Sequence, residues 1–221
     1  MHWILGGHGK SDHTRDGYRP ENLVKDITRF IEDIISETAV LFGYSAGGMM
    51  ALLVGSKLPG MIKALIIGDS PLDIEHHVTQ VGTNEMKNHW TSLREIAGKP
   101  MEDLVVALKG KLDPADIKYS AKTLSQVDPK VLDYHADGLS GEFFSCFDTD
   151  YMFQRITFPV LVLRGDLSCG GVVTDEEVEY IKSLISDVSV VKNEDEGHLP
   201  GFRSWNITQL IRAVSLFLES Q

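Results

Sequence analysis

Apolar positions fall along this chain in two rhythms. Behind Pro20, at what would be a first helical position, Leu23, Val24, Ile27, Phe30, Ile31, Ile34 and Ile35 recur at the spacing of one helix face, which predicts an amphipathic helix. Short, almost continuous apolar runs follow at 38–42 and 62–67 and return at 158–163 and 188–191. Runs of that kind suit strands covered on both faces of a parallel sheet. Met49, Met50, Ala51, Leu52 and Leu53 continue the first run as a helix, and Ile207, Leu210, Ile211, Val214, Phe217 and Leu218 mark a closing one. Residues 1–5 read as one further short strand, ending in the loop Gly6-Gly7-His8-Gly9-Lys10-Ser11-Asp12. Strands alternating with helices at both ends predict an α/β fold whose parallel sheet is wound by right-handed crossovers.

Between these ends the texture changes. From about Leu72 to Thr157 the chain is more polar and helical, punctuated at Gly98-Lys99-Pro100, Asp113-Pro114 and Asp128-Pro129, where short helices are expected to begin. The organisation predicted is a core of residues 1–71 and 158–221 with a helical cap inserted over 72–157. After the insert, Thr174-Asp175-Glu176-Glu177 is a capping box, opening a helix to about Ile185.

Charge narrows the partners. The 221 residues carry a net charge of −11, and no cluster of Lys or Arg interrupts that balance, so neither nucleic acid nor an anionic membrane is an expected partner. Cys146 and Cys169 lie far apart without metal-ligand spacing and read as free thiols. No basic leader with an apolar stretch is visible, and no apolar run approaches bilayer length, so a cytoplasmic location is expected. His76-His77 has no third ligand at useful spacing, and Lys10 follows no phosphate-loop pattern.

Chemistry concentrates at Gly43-Tyr44-Ser45-Ala46-Gly47-Gly48, between the apolar run ending at Phe42 and the helix of Met49–Leu53. A G-x-S-x-G sequence in a strand–turn–helix context puts its serine on a tight corner with the hydroxyl exposed, and Gly43 and Gly47 are expected to avoid a collision there. Ala46 N–H, at the start of the helix, could then donate to an anion developing on an attacked carbonyl. The plainer reading is a Gly-rich turn in which Ser45 only caps the helix.

A serine needs a base to become a nucleophile, and the base needs an acid to orient it. Here the order is serine after an early strand, carboxylates after later ones, and a histidine after the last. With 7–12, 43–48, 159–166 and Gly197-His198 as matching pieces, the chain resembles the α/β-hydrolase superfamily, especially small cytoplasmic esterase-like members with a helical cap. The resemblance runs nearly end to end. It implies an α/β-hydrolase fold with Ser45 as nucleophile and His198 as general base, later general acid. The acid stays open between Asp166, one residue after Gly165, and Asp69, at the tip of the strand after the nucleophile helix, with Asp175 or no working acid as the remaining alternatives.

One departure lies at the start. The family carries three strands before the Gly-x-Gly-x-Ser loop, and here only residues 1–5 precede it, so the expected sheet is truncated at the N-terminus. The oxyanion hole would keep Ala46 N–H and lack its usual second donor, for which Gly6 or Gly7 could stand in. The open sheet edge would leave room for a homodimer. The function implied is a serine hydrolase cleaving a small-molecule carboxylic ester or thioester, with no metal and no organic cofactor. The alternatives are an inactive relative acting as a binding module and a carbon–carbon bond hydrolase.

Overall fold

A computed structural model describes residues 5–15, 17–194, 196–198 and 207–221. In chain order its elements are α1 (Pro20–Phe30), continued by a π-helical turn over Ile31–Ile35, β1 (Ala39–Tyr44), α2 (Ala46–Lys57), β2 (Ile62–Gly68), α3 (Ile74–Val81), α4 (Asn84–Ile96), α5 (Met101–Leu108), α6 (Pro114–Leu124), α7 (Asp133–Ala136), α8 (Ser140–Phe144), α9 (Thr149–Gln154), β3 (Val160–Arg164), α10 (Asp175–Leu184), β4 (Val188–Lys192) and α11 (Ile207–Glu219). The strand expected over residues 1–5 falls almost wholly outside the described residues.

The chain divides into two units, Val24–Glu75 with Phe147–Gln221, and Met1–Leu23 with His76–Cys146. The division differs from the sequence reading at the N-terminus, where the glycine-rich loop groups with the helical insert. The insert runs His76–Cys146 in this division, inside the expected 72–157 by four residues at the start and eleven at the end.

The first unit holds the sheet, whose described strands run in the order β1-β2-β3-β4, all parallel. Its centre is β2, where Ala64 and Leu65 are wholly buried and Ile66 and Ile67 nearly so, with Val160, Leu161, Val162 and Leu163 beside them on β3. Alternate side chains face opposite layers. Ala64, Ile66, Leu161 and Leu163 meet Phe217, Leu210, Ala213 and Val214 of α11. Each such Leu, Ile or Phe contributes roughly 1.5–3 kcal/mol by leaving water. On the same unit α2 packs against β1, β2 and α9, and α10 against α9 and β4. The closing helix departs from its expected stripe: Ile207, Ile211 and Leu218 remain exposed.

In the second unit α5 and α6 enclose Leu104, Leu108 and Ala121, and α4 packs along α7. The loop at Gly7–Gly9 lies antiparallel to 126–128: Gly9 N–H donates to Gln126 O at 2.7 Å and Asp128 N–H to Gly7 O at 2.8 Å. Buried Tyr18 donates to Asp128 Oδ2 at 2.6 Å. Burial and that carboxylate push the phenol up to about 12. His77, Trp90, His135, Phe143 and Phe144 form an aromatic cluster.

Candidate active site

The corner after β1 is strained, as the glycine pattern implies. Ser45 has φ 52° and ψ −126°, a conformation most side chains avoid, and its N–H donates to Gly68 O at 2.8 Å. Three glycines surround it: Gly43 is tight as expected, Gly47 is not, and Gly48 is tight instead. A Cβ on Gly43 would lie 2.2 Å from Gly47 O, and one on Gly48 would lie 2.0 Å from Ser70 Oγ. At Gly47 a Cβ would meet nothing within 4 Å among the described residues, so the tight positions are Gly43 and Gly48.

Parallel pairing then decides which carboxylate stands near the serine. Tyr44 pairs with Gly68 across β1 and β2, so Ser45 and Asp69 leave adjacent strands side by side at their carboxyl ends. Asp69 is 0% exposed and, like Ser45, sits at positive φ, 40°. Its backbone N–H donates to Leu163 O at 2.6 Å, and its carboxylate accepts from Gly165 N–H at 3.0 Å and from Val172 N–H at 3.4 Å. Those amides allow a charged oxygen pair to be buried.

His198 reaches this carboxylate from the loop after β4. Its Nδ1 lies 2.8 Å from Asp69 Oδ2. A carboxylate oxygen accepts, so in this contact Nδ1 is the donor, and a ring acting as base would use the lone pair on Nε2. The loop is locked to the turn after β3: Asp166 N–H donates to Glu196 O at 2.6 Å and His198 N–H to Gly170 O at 3.3 Å. Any Cβ on Gly197 would fall 1.8 Å from Cys169 O, which is why glycine precedes the histidine.

Asp166 is employed elsewhere. It caps a short turn, accepting from Ser168 N–H at 2.8 Å and Ser168 Oγ at 2.7 Å, and pairs with Lys192 Nζ at 3.0 Å. The Ser168 hydroxyl, then Lys192, hold its carboxyl far below the usual range. Of the carboxylates the sequence left open, the structure therefore brings Asp69 to His198, and it places Asp166 on other partners. Asp175 pairs with Arg164. Glu194 pairs with Lys192 at 2.8 Å, and Asp195 lies outside the described residues.

Ala46 opens α2, and its N–H ends on no acceptor among the described residues, as expected for a first-turn amide. Gly7 N–H, named above as a stand-in donor, is used within its own loop by Asp12 O at 3.1 Å. Among the described residues no hydrogen bond joins Ser45 Oγ to His198 Nε2. One contact had no signal in the sequence: the ring of Tyr44 stacks on that of His198, with centroids 5.0 Å apart and planes 17° from parallel.

A family model described as the alpha/beta hydrolase fold matches residues 4–203. The chain belongs to the α/β-hydrolase family. Among solved structures this α/β-hydrolase is similar to E-2-(acetamidomethylene)succinate hydrolase, with a TM-score of 0.70 and 20% identity over 97% of this chain and 79% of the other. It is similar also to a thermophilic esterase from Thermogutta terrifontis, with a TM-score of 0.68 and 20% identity over 98% of this chain and 78% of the other. A protein of Mycobacterium phage D29 named as a non-heme haloperoxidase is 23% identical over 90% of this chain and 68% of its own length. At these identities the solved structures speak to the fold alone.

Among the described residues of this α/β-hydrolase, no helix is long and apolar enough to cross a membrane. No group of three His, Cys, Asp or Glu side chains among them is placed to hold a metal ion. His76 Nε2 instead meets Gln80 at 2.8 Å, and His77 packs edge-on against Phe144. Neither Cys146 nor Cys169 is in a disulfide among the described residues.

Proposed function

We propose that this chain is a serine hydrolase that cleaves a carboxylic ester or thioester through an acyl-enzyme on Ser45, with His198 as base and Asp69 as the acid behind it. The observation that carries the reading is the 2.8 Å contact between His198 Nδ1 and a fully buried Asp69, at the end of the strand next to the one that a serine at positive φ follows. In the first step His198 Nε2 takes the Ser45 proton as Oγ adds to the carbonyl carbon. The negative charge goes to the carbonyl oxygen, toward which Ala46 N–H donates. Collapse expels the alcohol or thiol, which receives the proton from His198. Water then adds to the acyl-enzyme with His198 again as base, releasing the acid and restoring Ser45.

A second reading, a binding module without turnover, draws on the missing hydrogen bond between Ser45 and His198. That bond often tightens only with substrate present, so its absence weighs little against catalysis. Hydrolysis of p-nitrophenyl acetate and butyrate by the purified chain, with fluorophosphonate labelling, separates the two. Ser45→Ala is expected to abolish labelling and reduce kcat by at least about 10³-fold. Turnover that survives the substitution would remove the serine mechanism, and an unmodified chain that neither turns over nor labels would favour the binding module.

A further inference from the structure

We infer that Tyr44 is a positioning residue for His198, holding the plane of the imidazole so that Nε2 keeps the bearing needed to take a proton from the adjoining serine. The inference rests on the reading of Ser45 and His198 as nucleophile and base. Among the described residues the His198 side chain has one hydrogen bond, from Nδ1 to Asp69 Oδ2. A single in-plane bond fixes one ring atom. It leaves small coupled rotations about χ1 and χ2 that rock the ring plane on that contact, and Nε2, on the far side of the ring, swings with them. The face of Tyr44, 5.0 Å away and 17° from parallel, opposes that rocking.

The platform is itself rigid. Tyr44 ends β1, pairs with Gly68 on β2, and packs against the buried cluster of Ile66, Leu163 and Phe217. The same pairing places Ser45 beside Asp69, so the stacking ring, the serine and the carboxylate share one block of sheet. His198 comes from a separate loop and must be brought into register with that block. The ring face also favours the positive charge the imidazole carries once it has taken the serine proton. Both effects belong to the aromatic face and neither needs the phenol hydroxyl.

The test compares Tyr44→Leu and Tyr44→Phe with the unmodified chain, using p-nitrophenyl ester kinetics and the proton resonances of the His198 ring, assigned by their loss in His198→Gln. Tyr44→Leu is expected to lower kcat about tenfold or more, since small misplacements of a reacting group are amplified in the rate, while KM stays within about twofold. Tyr44→Phe is expected to restore kcat to within about threefold. The upfield shift of the His198 ring protons beneath the aromatic face should persist in Tyr44→Phe and vanish in Tyr44→Leu. The inference is overturned if kcat of Tyr44→Leu stays within about twofold of the unmodified chain, if Tyr44→Phe falls as far as Tyr44→Leu, if the loss appears in KM, or if the shift is unchanged in Tyr44→Leu. Should Tyr44→Leu not fold, cross-relaxation between the two rings in the unmodified chain decides, and its absence overturns the stack. An unmodified chain with the shift but no turnover or labelling would sink the hydrolase reading instead, so the two failures are told apart.

Discussion

Ser45 and Asp69 are both non-glycine residues at positive φ, and both stand where a strand ends against a turn. Such strain persists only where surrounding contacts over-determine it. Asp69 is buried, bonded by two backbone amides and touching the imidazole, so replacing its carboxylate changes which ring nitrogen carries the proton. In the ester assay Asp69→Asn is expected to reduce kcat about 10³- to 10⁴-fold, whereas Asp166→Asn should stay within about threefold, because Asp166 serves Ser168 and Lys192. A larger loss in Asp166→Asn than in Asp69→Asn would reverse the assignment. The glycines of the corner separate just as sharply. Gly43→Ala sets a methyl 2.2 Å from a backbone oxygen and is expected to destabilise by about 3 kcal/mol or more, while Gly47→Ala, with open space, should change stability by less than about 1 kcal/mol. Midpoints of urea unfolding measured side by side would check both.

Helix α10 shows how one element secures another segment. Its capping box forms as the sequence predicts, with Glu177 N–H donating to Thr174 Oγ1 at 3.1 Å and Thr174 N–H to Glu177 Oε2 at 2.7 Å. The sequence held no hint of the other oxygen's work. Glu177 Oε1 accepts from Leu72 N–H at 2.9 Å and Asp73 N–H at 2.8 Å, tying α10 to the segment that follows β2. A buried carboxylate serving three amides leaves all three unsatisfied when removed. Glu177→Ala is therefore expected to lower unfolding free energy by about 3 kcal/mol in urea titration, and Glu177→Gln, which keeps one acceptor oxygen, by less than half as much. Equal losses would mean that packing rather than hydrogen bonding dominates at that position.

Acid stability of the fold should carry the mark of His135. It packs at a tilt against Trp90 and Phe143, its Nδ1 meets buried Ser140 Oγ at 2.9 Å, and burial lowers its pKa from 6.5 to about 4. The unfolded chain binds the proton near pH 6.5 and the folded chain only near 4. Between those values the unfolded state holds more protons, so stability falls as pH falls, by at most about 3 kcal/mol over the window. His135→Phe, which cannot be protonated, should flatten unfolding free energy between pH 6.5 and 4.5. A slope unchanged by the substitution would place the acid sensitivity on other groups.

Periodicity and local chemistry were enough to find every described strand, the serine corner and the α10 cap, because each is a property of consecutive residues: apolar runs, a glycine-flanked serine between strand and helix, a cap that closes on itself; the histidine came from the family resemblance. Nothing local distinguishes Asp69 from Asp166, since both follow a glycine at the end of a buried strand. Strand register chose between them by setting Gly68 opposite Tyr44 and sending the turn after β3 to Lys192 instead of the imidazole. The same holds for Gly48 against Ser70, Glu177 against Leu72 and Tyr44 against His198. Each joins positions far apart in the chain, and such contacts exist only once the backbone has closed around them.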